Sequence, residues 1–205
     1  MATLTVTTFS TLDGVMQGPG APAEDRSGGF TQGGWGVPHF EEHLGRLMGG
    51  IFERAEAFLL GRTTYEIFAG HWPRVTDPAD PIAGPLNRLP KYVASRSLTK
   101  LTWSNSHLVR DVATEVAELK QTLSGELQVH GSAGLIQTLL EKGLVDELNL
   151  IAFPVIVGNG KRLFGPGAVP TAFELKEHRV TKRGVTFGTY ARKGSPEYGS
   201  FALDA

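Results

Sequence analysis

The chain has 205 residues, a formal net charge of −1, 40% hydrophobic residues and no cysteine. That length supports one domain with a sizeable core, and the near-neutral charge excludes the general basic field that holds nucleic acid. Absence of Cys excludes disulfides, thiolate nucleophiles and Cys-ligated metals, and no apolar run approaches the roughly 20 residues of a membrane span.

The first residues lack the basic and apolar regions of a signal peptide, so a cytoplasmic protein without membrane partners is expected. Residues 3–9, rich in Thr and Val, predict a first strand, broken at Asp13-Gly14. Residues 17–36 are glycine-rich, with Pro19 and Pro22, and predict an irregular loop that covers something. Pro38 marks a helix start. Phe40, Leu44, Leu47, Met48, Ile51, Phe52 and Ala55 then form one apolar face of a long helix, which Gly49-Gly50 weakens.

Residues 57–60 predict a short buried strand and 63–69 a short helix, ended by Gly70 and Pro73. Residues 73–90 read as loop. Strands follow at 91–95 and 107–109. Asp111 caps a helix carrying Val112, Val116, Leu119 and Leu123. A strand at 127–130 feeds a helix at 132–142. Residues 147–157 are strand-like, interrupted by Pro154, and 173–181 pairs with 185–192 around Lys182-Arg183-Gly184. The last dozen residues carry little core. Domain boundaries are therefore 1–193 for one domain and 194–205 for a loose tail. Repeated βα units imply a mainly parallel sheet with helices on both faces, and the closing hairpin an antiparallel edge.

Two junctions carry the chemistry. In Leu60-Gly61-Arg62-Thr63-Thr64-Tyr65-Glu66 a strand ends at glycine and a helix opens. Free N–H groups and the positive dipole end then point at one place, which attracts phosphate. Arg62 adds a planar charged fork. Val129-His130-Gly131-Ser132-Ala133-Gly134-Leu135 repeats the arrangement. Gly131 and Gly134 let backbone approach phosphate without a Cβ, and the His130 imidazole can donate to it. Two such turns suit a dinucleotide, yet no strand is followed by G-x-G-x-x-G. His39 and His43 stand four apart without a third ligand, so no metal site is predicted.

These motifs, with Ser10-Thr11-Leu12-Asp13-Gly14, Val93-Ala94-Ser95-Arg96 and Pro154-Val155-Ile156-Val157-Gly158-Asn159-Gly160, resemble the dihydrofolate reductase-like superfamily over roughly residues 3–192. The branch most resembled contains the C-terminal reductase domain of bacterial riboflavin biosynthesis proteins. The resemblance implies a three-layer α/β fold with a mixed, mainly parallel sheet of about eight strands, an antiparallel C-terminal hairpin, NADPH as hydride donor and a homodimer. It assigns Gly61, Arg62, Thr63 and Thr64 to the cofactor phosphates, and Ser95 and Arg96 to the adenosine 2′-phosphate. His130, Gly131, Ser132, Ala133, Gly134 and Leu135 wrap the pyrophosphate, and Asp13 and Gly14 face the nicotinamide.

Folate-reducing members carry an acid on the first helix at a register that falls near Gly45 here, with Glu41 and Glu42 a turn away. The proton comes from Asp13, Glu41, Glu42 or water, with Asp13 and Glu42 as the candidate catalytic residues. Trp35, Tyr65 and Trp72 are candidate walls for a planar substrate. The zinc deaminase domain usual in the riboflavin branch has no counterpart in this chain without Cys. The expected activity is NADPH-dependent reduction of a small planar heterocycle, carbonyl or imine. It resembles 5-amino-6-(5-phosphoribosylamino)uracil reductase. The alternative is a non-catalytic NADPH-binding or dimeric regulatory protein on the same scaffold, and a third reading is a flavin- or pterin-binding protein using the same pocket. Self-association is expected through residues 148–157 and the terminal hairpin.

Overall fold

The computed structural model describes residues 1–166 and 168–202. Eight strands form one sheet: β1 (Thr3–Thr11), β2 (Ala55–Gly61), β3 (Lys91–Ala94), β4 (Ser106–Val109), β5 (Glu126–Val129), β6 (Glu147–Phe153), β7 (Ala172–Val180) and β8 (Thr186–Gly194). Their order is β4-β3-β2-β5-β1-β6-β8-β7. The first six strands pair in parallel, whereas β8 runs antiparallel to both β6 and β7. Among the described residues five α-helices accompany them: α1 (Glu42–Glu53), α2 (Arg62–His71), α3 (Ala83–Arg88), α4 (Val112–Thr122) and α5 (Ala133–Glu141).

Alternation along the strands divides the core between two faces. Phe58 and Leu60 of β2 point toward α1, whose Leu44, Met48, Ile51 and Phe52 form its buried stripe. Ala57 and Leu59, with Leu4, Val6, Leu127 and Val129, point the other way, toward Val116 of α4 and Ile136 and Leu139 of α5. Because the central strands are parallel, their C-terminal ends open on one edge. There the loops following β1, β2, β3 and β5 meet, the usual place for a ligand in such sheets.

Three sequence expectations are corrected. The first helix begins at Glu42 rather than Pro38, because Pro38 sits in a separate 3-10 turn and Phe40 is extended, with ψ 129°. The Gly49-Gly50 pair lies inside that helix. A Cβ on Gly49 would stand 3.1 Å from Pro81, so the glycine admits the neighbouring chain. Within the expected 73–90 loop lies α3, with Ala83 and Leu86 buried; Asp80 Oδ1 accepts the amides of Ile82 and Ala83 at its start. The sequence Ala-Gly-Pro-Leu-Asn-Arg hides this helix, since Gly and Asn are weak helix formers and Pro is tolerated only in the first turn.

The third correction concerns the sheet edge. Residues 148–153 lie between β1 and β8 inside the sheet, and the edges are β4 and β7. The exposed run Glu174 to Val180 of β7 includes Lys176, Glu177 and Arg179, charges that discourage edge pairing. Of the expected dimer surface, residues 148–153 are thus covered within the sheet, while the terminal hairpin does supply an edge in β7. Strand β8 runs to Gly194, one residue past the expected boundary, and residues 203–205 of the expected tail lie outside the described residues. No described helix is long and apolar enough to cross a membrane.

Candidate active site

The two glycine junctions touch. Gly61 ends β2 and precedes α2; Gly131 and Ser132 link β5 to α5. The Gly61 amide donates to the Gly131 carbonyl, and the Gly131–Ser132 peptide is cis. A Cβ on Gly131, whose φ is +134°, would lie 2.6 Å from Thr64 Oγ1. Only glycine permits this approach. Helix α4 is capped by the Asp111 carboxylate, which accepts the amides of Ala113 and Thr114. Neither α2 nor α5 has a side-chain cap among the described residues. Their first-turn N–H groups and positive dipole ends are therefore available to an anion.

A groove of about 750 Å³ runs along one side of this contact, lined by Gly61, Arg62, Thr63, Ser95, Arg96, Ser132, Gly134 and Leu135 among others. Arg62 reaches Glu66 at 3.0 Å and the Ser97 hydroxyl at 2.9 Å. Ser95 Oγ accepts the amides of Ser97 and Leu98, shaping the loop that carries Arg96. Arg110, which the sequence reading passed over, also lines the groove. Its guanidinium donates to the carbonyls of Ser95 and Leu98, both at 2.6 Å. The signal for it was present. Arg62, Arg96 and Arg110 each stand at or within two residues of the C-terminal end of an adjacent parallel strand, β2, β3 or β4.

Thr63 and Ser132 border both this groove and a second cavity of about 290 Å³. That cavity is lined by Thr7, Thr8 and Phe9 of β1, by Met48 and Phe52 of α1, and by Thr63, Thr64, Ile67 and Phe68 of α2. Trp72, His130, Gly131 and Ala133 complete much of its wall. The covering loop contributes Gln17, Glu24 and Asp25, and Lys161 joins them. Lys161 pairs with Asp25 at 2.7 Å. Burial raises the Glu24 carboxyl above its ordinary range.

His130 stacks on Phe52 at 4.5 Å, and its Nε2 lies 3.1 Å from Gln128 Oε1. Gln128 Nε2 donates to the Ile51 carbonyl, which turns Oε1 toward the imidazole and assigns the proton to Nε2. Burial pushes the His130 pKa down to about 3. The neutral ring thus has no N–H left for a phosphate, contrary to the expected donor role.

The remaining candidates are placed as follows. Trp72 lines the cavity. Tyr65 does not; it is buried in the core, and its hydroxyl accepts the amides of Thr102 and Trp103. Trp35 turns inward from the covering loop, donating to the Gln17 carbonyl and packing edge-on against Phe153. Glu42 faces solvent and pairs with Arg46. Glu41 instead accepts the Lys182 amide, tying α1 to the β7–β8 turn.

Asp13 and Gly14 line neither space. The Thr11 hydroxyl, donating at 2.6 Å, is the main cause holding the Asp13 carboxyl below its ordinary range. That carboxylate accepts the amides of Val157 and Gly158 and approaches Arg162 at 3.6 Å. The Gly14 carbonyl accepts the Leu163 amide. The turn therefore fastens the 155–163 segment to β1.

Comparison with solved structures finds the same architecture. A putative riboflavin biosynthesis protein from Shewanella sp. PV-4 superposes with a TM-score of 0.70 at 23% identity, covering 93% of this chain and 99% of that one. Dihydrofolate reductase from Enterococcus faecalis, solved with NADP(H), gives 0.60 at 13%, with coverage of 93% and 96%. The Thermotoga maritima diaminohydroxyphosphoribosylaminopyrimidine deaminase/5-amino-6-(5-phosphoribosylamino)uracil reductase gives 0.61 at 13%; the match covers 94% of this chain but 57% of that longer one. In sequence, the uncharacterized protein YyaP of Bacillus subtilis strain 168 is 28% identical over 116 residues. These are 56% of this chain and 62% of that protein, so the match spans less than two thirds of it. These likenesses show a shared fold. The RibD C-terminal domain model matches residues 2–187, and the chain belongs to that family.

Proposed function

We propose that the protein is an NADPH-dependent reductase of a small molecule. The observation that carries this reading is the junction of two uncapped helix starts at Thr63 and Ser132, with a guanidinium-lined groove on one side and an apolar cavity on the other. The residues fit the cofactor. Gly61 and Gly131 keep the cradle free of Cβ atoms, and the first-turn amides of α2 and α5 receive the pyrophosphate. Arg96 and Arg62, in the groove beyond, receive the 2′-phosphate that distinguishes NADPH from NADH. NADPH supplies a hydride when bound.

The chain's own contribution is positional. Thr7, Thr8 and Phe9 at the end of β1 form the floor against which the nicotinamide end and the substrate are held together. The loop carrying Glu24 and Asp25 shields that floor from water. The cavity's acids come from this loop, so proton delivery falls to Glu24 or water rather than to Asp13 or Glu42.

Fluorescence titration with NADPH and NADH tests the reading. NADPH is expected to bind at least tenfold more tightly, and Arg96→Ala to erase that preference. Equal affinities in the unaltered protein would remove the 2′-phosphate assignment. Tight NADPH binding without oxidation across dihydropteridines, ribosylaminopyrimidines, quinones and small carbonyls would favour a non-catalytic binding protein.

A further inference from the structure

The cavity beside the cofactor groove has a composition that selects its occupant. Its walls are mostly hydrocarbon and aromatic, with Met48, Phe52, Ile67, Phe68 and Trp72 contributing from α1, α2 and the turn after it. Charged groups enter from one side. Lys161 and Asp25 neutralise one another at 2.7 Å, and Lys161 is 41% exposed, at the rim. Glu24 remains without a cation partner among the described residues. Its Oε2 accepts the Gly20 and Ala21 amides. The guanidiniums of Arg62, Arg96 and Arg110 all line the other groove, and among the described residues no arginine borders the cavity.

A phosphate dianion seated here would lose water and gain no free cation in return. A flat neutral ring meets the opposite situation. Phe68 and Trp72 offer aromatic surface, Met48 offers a polarisable thioether, and Thr7, Thr8 and the neutral His130 offer a few hydrogen-bonding groups for orientation.

Building on the reductase reading above, we infer that the second substrate is an uncharged, planar, largely apolar electrophile of one or two rings, such as a quinone or conjugated cyclic ketone, and that the cavity rejects substrates bearing a sugar phosphate. When bound, NADPH would supply a hydride to the electrophilic atom and leave as NADP+, and the Glu24 carboxyl or water would supply the proton that completes the two-electron reduction.

Binding rather than turnover tests this. The protein saturated with NADP+ is titrated with menadione and with 5-amino-6-(5-phosphoribosylamino)uracil, followed by equilibrium dialysis. Menadione is expected to bind saturably and at least tenfold more tightly than the phosphorylated pyrimidine. Phe68→Ala should weaken menadione about tenfold; a thermal melt verifies that the variant is folded. Glu24→Lys, in the covering loop, should improve the phosphorylated ligand several-fold relative to menadione. Equal or tighter binding of the phosphorylated pyrimidine overturns the inference, as does menadione binding untouched by Phe68→Ala in a folded protein. Repeating the menadione titration without nucleotide separates the two readings. Loss of NADPH preference over NADH sinks the cofactor assignment, whereas the menadione result stands or falls with the cavity.

Discussion

The Gly61 amide donates to the Gly131 carbonyl at 3.0 Å, so the ends of β2 and β5 are joined at the point where two helices begin. A methyl group at residue 61 would sit 2.2 Å from Ser132 Oγ and 2.8 Å from the Ser132 backbone nitrogen. Backbone cannot yield as a flexible side chain can. Gly61→Ala should therefore cost about 1–3 kcal/mol in urea unfolding and weaken NADPH at least tenfold by moving the two helix starts apart. Wild-type stability and affinity in this variant would show that the contact is dispensable.

Arg96 and Arg110 should separate in their effects. Arg96 is exposed and free to meet a ligand, whereas Arg110 is committed to the Ser95 and Leu98 carbonyls. Arg96→Ala is expected to lower NADPH affinity by about 1.5–3 kcal/mol, typical of hydrogen bonds to charged groups, with NADH affinity and melting temperature unchanged. Arg110→Ala should lower both NADPH affinity and the melting temperature, because it releases the loop that carries Arg96. Parallel titrations and melts check the contrast, and identical behaviour of the two variants would refute the division of labour.

His130 predicts an acid limb in stability. Its pKa is about 3 folded against 6.5 as the ordinary value, so between these values the unfolded chain binds the extra proton. Stability is full above about pH 6.5 and declines as pH falls toward 3, by up to about 4 kcal/mol from this residue. His130→Phe keeps a stacking ring on Phe52 and removes the titration. Its unfolding free energy at pH 7 should be lower, since Gln128 Oε1 loses its donor, yet its decline from pH 6.5 to 4 should be shallower. Parallel acid profiles for the two proteins would contradict the buried neutral imidazole.

Lys91 predicts the alkaline limb. Its side chain is fully buried, donates to the Leu86 and Leu89 carbonyls at 2.8 Å and lies 4.6 Å from the Trp103 ring centre. Burial lowers its pKa from 10.5 to about 8. Between pH 8 and 10.5 the unfolded chain holds the additional proton, so stability should rise across that window by up to about 3 kcal/mol. In Lys91→Met the rise should be absent. Urea unfolding at pH 7.5 and pH 10 measures the difference.

The parts of the site that follow strand ends were readable in the sequence. Gly61-Arg62, Ser95-Arg96 and His130-Gly131-Ser132 each close an apolar run, and local pattern suffices to place them. Arg110 follows the same rule and was overlooked beside the stronger Asp111 cap. The cavity walls were less legible. Glu24 and Asp25 lie in a glycine-rich loop whose path has no periodicity, and Lys161 reaches Asp25 from a distant turn. Tyr65 misled because it adjoins the Thr63-Thr64 signature. Its placement is set by amides of Thr102 and Trp103, invisible to local pattern. Glu42 lost its expected role when the helix began at that residue and left the side chain in water.

Strand β1 is made first, yet its partners begin at Glu126 and Glu147. Both neighbours of this strand lie in the second half of the chain, so no early fragment can finish the sheet. Such distant pairing slows folding through the entropy of closing large loops. A nascent chain halted before β6 would present the apolar flank of β1 to whatever it meets. Timely arrival of the C-terminal third is thus a condition for productive biogenesis, and chaperone dependence during synthesis should track how long that flank stays bare.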